Sequence, residues 1–167
     1  MAASTKSAAK ARRADIRSAL DRVEKLCRRR GIRLTKLRRN VLELMLRGEQ
    51  PIRAYDLLGK LDGSAGAKAP ATIYRALNFL IEQKYVHKIE SLNAFVVCLD
   101  VDHPHDSQFM ICAQCGDAVE IRDAAVTRAL RRHVENQGFR TSEQIIEVRG
   151  LCARCQAKPA ANSLADA

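Results

Sequence analysis

Four of the six cysteines fall in two matched pairs, Cys112-x-x-Cys115 and Cys152-x-x-Cys155, with the 36 residues 116–151 between them. Each pair presents two thiolates from one tight knuckle, and two knuckles complete the tetrahedron that a closed structural zinc site requires. The spacer is long for a simple ribbon but suits a strand, a helix and a strand, so closing it would fasten both ends of a small subdomain. Zinc folding energies of about 10–16 kcal/mol in small peptides show what such a closure supplies where the core is modest. Two other chemistries use paired cysteines. A dithiol oxidoreductase needs one reactive pair at a helix start rather than two matched pairs, and a cytosolic setting disfavours permanent disulfides.

A closed site cannot respond to metal supply, so the remaining potential ligands matter. His87, Cys98, His105 and Glu120 supply one thiolate, two imidazoles and one carboxylate. That set suits tetrahedral zinc and poorly suits six-coordinate iron. One ion held by all four would link the two halves of the chain, and its imidazole and carboxylate ligands would make binding pH-dependent. Each residue also has a plainer reading: His87 as a phosphate contact, Cys98 as a small buried apolar side chain, Glu120 as a surface charge on a strand.

The elements that must position these residues follow from apolar spacing. Residues 12–30 carry Ile16, Leu20, Val23 and Leu26 at helical intervals, with Gly31 as a stop. A second helix is predicted from Thr35, whose hydroxyl can cap it, to Gly48, with Leu37, Val41, Leu44 and Met45 on one side. A third follows Pro51 and ends at the Gly/Ser/Ala run 62–67. A fourth begins at Pro70, a residue suited to a first helical turn, and runs to about Lys84; Ile73, Leu77, Leu80 and Ile81 form its buried face, and Lys68, Thr72, Arg75 and Asn78 point elsewhere. Residues 85–90 and 95–100 read as two strands joined by a turn at Ser91, Leu92 and Asn93. Helices followed by a hairpin are the order of a winged helix, in which the helix from Pro70 enters the major groove. Beyond it the chain alternates strand and helix: strands at 109–112 and 119–122, a helix at 124–137, a strand at 145–148.

The expected architecture is therefore α+β: a basic disordered tail at 1–14, a winged helix-turn-helix domain at 15–101, a hinge at 102–107, a small α/β dimerisation domain with a structural zinc at 108–157, and a disordered Ala-rich tail at 158–167. The opening residues 1–13 lack acids, as organelle transit peptides do, and are read here as a solvated tail. Charge divides along the same line. Residues 1–86 hold 20 Lys and Arg against 8 Asp and Glu, whereas residues 87–167 hold 9 against 11, so the net +10 belongs to the first half. A basic half joined to a nearly neutral one assigns polyanion binding to one domain. No apolar run is long enough to span a membrane and the start lacks the apolar core of a secretory signal, so the expected location is cytoplasmic.

Read in order, Ala54-Tyr-Asp-Leu-Leu, Ala71-Thr-Ile-Tyr-Arg-Ala-Leu-Asn-Phe-Leu, Val86-His-Lys-Ile-Glu and Gly150-Leu-Cys-Ala-Arg-Cys make the chain resemble the ferric uptake regulator family, with the zinc uptake regulator branch the nearer likeness. The resemblance spans roughly residues 15–156 and implies a homodimeric, metal-activated repressor rather than an enzyme, with two zinc ions per subunit and no small-molecule substrate. It implies that Cys112, Cys115, Cys152 and Cys155 hold the structural zinc and that His87, Cys98, His105 and Glu120 form the regulatory site. His105 is preferred to His103 because it stands seven residues before Cys112, as the family pattern suggests. Tyr55 and Arg75 look like residues that approach DNA bases, and the expected DNA-binding set is Tyr55, Lys68, Thr72, Tyr74 and Arg75. The chain departs from many members in lacking a His-rich hinge and in carrying Gln144 where a further strand His stands, which speaks against a third metal site. His133 is expected at the surface and Cys27 as a buried thiol.

The expected mechanism has hinge-bound zinc select the one dimer arrangement in which both wings match a palindromic double-stranded operator, controlling zinc uptake genes. An iron- or peroxide-responsive regulator of the same family, a dithiol oxidoreductase and a constitutive architectural DNA binder are the alternatives.

Overall fold

The computed structural model describes residues 2–48, 51–61, 69–98, 101 and 106–157, with residues 2–13 as backbone. The chain divides into two compact units, Met1–Pro104 and His105–Ala167.

The first unit opens with α1 (Ala2–Arg29). Its end is set by Gly31 in the left-handed region at φ 67°, where the Ile32 amide reaches back to the Cys27 carbonyl and the Gly31 amide to Arg28, closing the helix as a Schellman turn. Helix α2 (Lys36–Arg47) starts at Thr35, whose hydroxyl accepts the Arg38 amide, and stops at Gly48, as the sequence predicts. Helix α3 (Ala54–Leu61) follows, and α4 (Pro70–Glu82) begins on Pro70 at its first turn. A turn through Lys84, left-handed at φ 60°, leads into β1 (Val86–Ile89). A single 3-10 turn at Glu90–Leu92, with Asn93 left-handed at φ 46°, returns the chain as β2 (Ala94–Val97). The two strands pair antiparallel with His87 opposite Val96.

Against expectation, Ile52 also joins this hairpin: its amide and carbonyl exchange hydrogen bonds of 2.9 and 2.8 Å with Phe95, so the residues leading into α3 add a one-residue bridge along the other edge of β2. One apolar core serves all of these elements. Leu20 and Val23 of α1, Val41 and Leu42 of α2, Leu57 of α3, and Ile73, Leu77 and Leu80 of α4 are all buried. Each such side chain contributes roughly 1.5–3 kcal/mol when fully removed from water.

The second unit is a mixed three-stranded sheet ordered β4-β3-β5. Strands β3 (Ser107–Cys112) and β4 (Ala118–Ile121) form an antiparallel hairpin. Helix α5 (Ala124–Asn136) is capped by Asp123, whose carboxylate accepts the Ala125 and Val126 amides, and ends at Gly138 with φ 75°. The chain then returns parallel to β3 as β5 (Ile145–Gly150), and a one-turn helix α6 (Ala153–Gln156) closes the described residues.

The segment 1–14 was expected as a disordered tail, yet α1 begins at Ala2. Its Ala, Lys and Arg residues are strong helix formers with no Pro or Gly among them, and the stretch anchored by the buried Leu20, Val23, Leu26 and Cys27 supplies the nucleus from which a helix propagates. Hinge residues 102–105 and the tail 158–167 lie outside the described residues. Among the described residues no helix is long and apolar enough to cross a membrane.

Because Leu77 is fully buried where α4 packs on the rest of the first unit, Leu77→Ala leaves a cavity and should cost about 2–5 kcal/mol, read as a lower urea midpoint.

Candidate metal centres and DNA-facing surface

The parallel pairing of β3 with β5 brings both cysteine pairs to one end of the sheet. Cys112 sits opposite Gly150, and the Ala113 amide donates to the Gly150 carbonyl at 2.8 Å. From there the first knuckle turns through Gly116, left-handed at φ 71°, and closes when the Cys112 amide meets the Asp117 carbonyl. The second knuckle is the start of α6, where the Cys155 amide donates to the Cys152 carbonyl. As a result the sulfurs of Cys112, Cys115, Cys152 and Cys155 all lie within 4.8 Å of one another. Cys115 and Cys152 are 3.8 Å apart, the separation of about 3.8 Å that zinc–sulfur bonds of 2.3 Å impose on a tetrahedron. All six cysteines are free thiols. Four convergent sulfurs do not suit a dithiol oxidoreductase, which works with one pair.

The electrostatics of the cluster are already polarised. The Cys152 amide, 3.4 Å from Cys112 Sγ, leads the groups that draw the Cys112 thiol down to about 6, with the Cys115 amide next. Hydrogen bonding with Cys152, then burial, pushes the Cys155 thiol up to about 12. Arg154, between the two cysteines of the second knuckle, reaches Cys115 Sγ at 3.9 Å and Asp117 at 3.7 Å. Its hydrogen bond with Cys115 raises its own pKa. Sequence spacing did not single out this residue, although its position inside Cys-Ala-Arg-Cys was a signal.

Of the second predicted set, the structure brings two residues together within the first unit. His87 lies on β1 and Cys98 one residue past β2, diagonal across the hairpin, and a ring nitrogen and the thiol come within 4.8 Å. Cys98 is held there by its amide, which donates to the Tyr85 carbonyl at 3.0 Å. Both side chains are buried. Glu120 belongs to the second unit, half-buried on β4 opposite Phe109. His105, like His103, lies outside the described residues. Gln144 is buried and gives its side-chain amide to the Thr127 carbonyl at 3.5 Å. His133 is exposed on α5, and Cys27 is buried with its thiol 3.6 Å from the Tyr85 hydroxyl.

Helix α4 separates its faces cleanly. Ile73, Ala76, Leu77 and Leu80 point into the core, while Tyr74, Arg75 and Asn78 are exposed and Thr72 is half-buried. On α3, Tyr55 is 81% exposed, which no packing role explains. Lys68 lies outside the described residues. Arg38, which periodicity did not single out, stacks its guanidinium 3.5 Å from the Phe79 ring centre and donates to the Arg33 carbonyl, pinning α2 to α4. Some basic residues of the first helices are internally paired: Arg28 with Glu24, and Arg47 with Glu43.

The model of the ferric uptake regulator family matches residues 29–149. The zinc uptake regulation protein of Escherichia coli (strain K12) is 42% identical over 137 residues, covering 81% of this chain and 80% of that protein. A structure of a zinc uptake regulator complexed with zinc and DNA superposes with a TM-score of 0.81 at 40% identity, covering 84% of this chain and 95% of that one. A crystal structure of holo XcZur gives 0.77 at 43% identity, covering 84% and 99%.

Metal capture by the four thiols must displace their protons, so zinc retention should rise with pH. Because Cys112 is already a thiolate at neutral pH, zinc binding to the metal-free four-cysteine centre should release fewer than four protons per ion. A pH-indicator titration of a Cys98→Ser protein with zinc counts them, and a full four would contradict the polarised cluster.

Proposed function

The chain belongs to the ferric uptake regulator family, and on that premise we propose that it is a zinc-responsive transcriptional repressor that binds DNA as a homodimer in the cytoplasm. The observation that carries the reading is the buried His87–Cys98 pair on the hairpin that follows α4. A thiolate beside an imidazole selects zinc over harder ions such as ferrous iron, and it stands on the wing of the domain that must grip the duplex.

Two zinc ions per subunit account for the ligand inventory. Cys112, Cys115, Cys152 and Cys155 hold the structural one, tying β3 to β5. His87, Cys98, His105 and Glu120 hold the regulatory one, with His105 supplied from the hinge at 102–107. Bound zinc there offers a Lewis-acidic centre that demands four ligands at once. Those side chains can meet that demand in only one arrangement of the units, so metal occupancy selects a conformation. A shift from mostly inactive to mostly bound needs about 5 kcal/mol of differential affinity, within reach of four-ligand coordination.

The second unit supports the homodimer. Val119, Met110 and Val148 stand in register across β4, β3 and β5, and all three are about half exposed. Val126 and Leu130 of α5 are exposed as well. An apolar row of this kind is suited to being covered by a second copy of itself. A two-fold dimer then reads a palindromic operator, with Arg75 bonding guanine, Tyr55, Lys68, Thr72 and Tyr74 contacting neighbouring bases and phosphates, and zinc uptake genes as the targets.

In a zinc-buffered fluorescence anisotropy titration on a candidate palindrome, wild-type affinity should climb with free zinc and Cys98→Ser should bind weakly at every zinc level; zinc-independent binding by the wild type would end the regulatory reading. Arg75→Ala should lose about 1–3 kcal/mol of preference for its operator over scrambled DNA in competition, with non-specific affinity nearly kept.

A further inference from the structure

Arg154 plays no part in the folding or DNA-reading roles above. Its side chain is 67% exposed, so core packing does not depend on it. What sets it apart is where its guanidinium ends: 3.9 Å from Cys115 Sγ and 3.7 Å from a carboxylate oxygen of Asp117. Arg154 rides on the second knuckle, whereas Cys115 and Asp117 belong to the first, so one cation spans both.

Four thiolates around one divalent cation leave a cluster charge of about −2, and Asp117 adds to it. The competing metal-free state carries protons on its thiols and therefore less negative charge. A cation fixed beside the sulfurs favours the more negative, metal-loaded state. Groups just outside the ligands tune metal affinity in this way.

We propose that Arg154 is the charge-balancing residue of the four-cysteine centre, offsetting the accumulated thiolate and Asp117 charge so that this centre keeps its zinc through the swings in supply that the His87–Cys98 pair reports. The inference rests on the zinc reading of the four cysteines. Arg154 acts on the metal through the cysteine sulfurs rather than by ligating it.

The test uses the full chain carrying Cys98→Ser, so that the four-cysteine centre is the one loaded, and begins with metal analysis of the purified protein. One zinc per subunit is expected; its absence would overturn the four-cysteine reading, and this inference with it. Given that zinc, competition with a chromophoric chelator at low salt should show Arg154→Ala retaining it about threefold to tenfold less tightly, and Arg154→Glu less tightly still. Arg154→Lys should recover most of the loss, and the gap should narrow as salt screens the charge. A shape or folding role would show neither the Lys recovery nor the salt dependence. Equal retention by Arg154→Ala and its parent at low salt overturns the role of Arg154 while leaving the zinc reading intact.

Discussion

Parallel pairing of β3 with β5 is the constraint on which the second unit depends. Two strands far apart in sequence leave the sheet at the same end only if they run in the same direction, and only then do two short cysteine knuckles meet. The register decides the rest: Cys112 opposite Gly150 places Cys152 two residues further on, where its amide meets the Cys112 sulfur. A slip of one residue would turn every side chain of β5 to the other face and separate the sulfurs. In return, four sulfurs gathered at one end hold a sheet of three short strands that lacks the large core of the first unit, and whose helix α5 has no fully buried residue.

The first unit needs no such fastening, because its core is shared by four helices and the hairpin. There the constraint is the two-faced character of α4. Ile73, Leu77 and Leu80 anchor one side so firmly that Tyr74, Arg75 and Asn78 are presented outward at a defined angle. Arg38 stacked on Phe79 braces the helix against α2. Rigidity of that kind means that side chains on the outward face arrive already oriented and would lose little entropy on binding.

Much of this was legible because the signals are local. Gly31, Thr35 and Pro70 each mark a helix boundary through their own backbone chemistry, and each stands where it was expected. The cysteine pairs were legible because thiols at that spacing have few other uses in a reducing compartment. What escaped reading was long-range or carried by identity rather than pattern. No periodicity encodes that Ile52 pairs with Phe95, 43 residues away. Arg38 over Phe79 joins two helices whose faces were assigned without it, and no role was assigned to Arg154 within its Cys-Ala-Arg-Cys motif. The tail expected at residues 1–14 was judged from charge, whereas its propensity is helical and a packed helix follows directly. His87 and Cys98 were chosen by type; their diagonal placement depended on a hairpin register that only the structure supplies.

The Ile52–Phe95 rung has a mechanical consequence. Cys98 lies three residues beyond Phe95 on one side of that rung, and Ala54, the first residue of α3, lies two beyond Ile52 on the other. Paired backbone bonds of 2.9 and 2.8 Å yield little to small forces. The start of α3, and with it the exposed ring of Tyr55, is thereby tied through one backbone crossbar to the strand that ends beside Cys98.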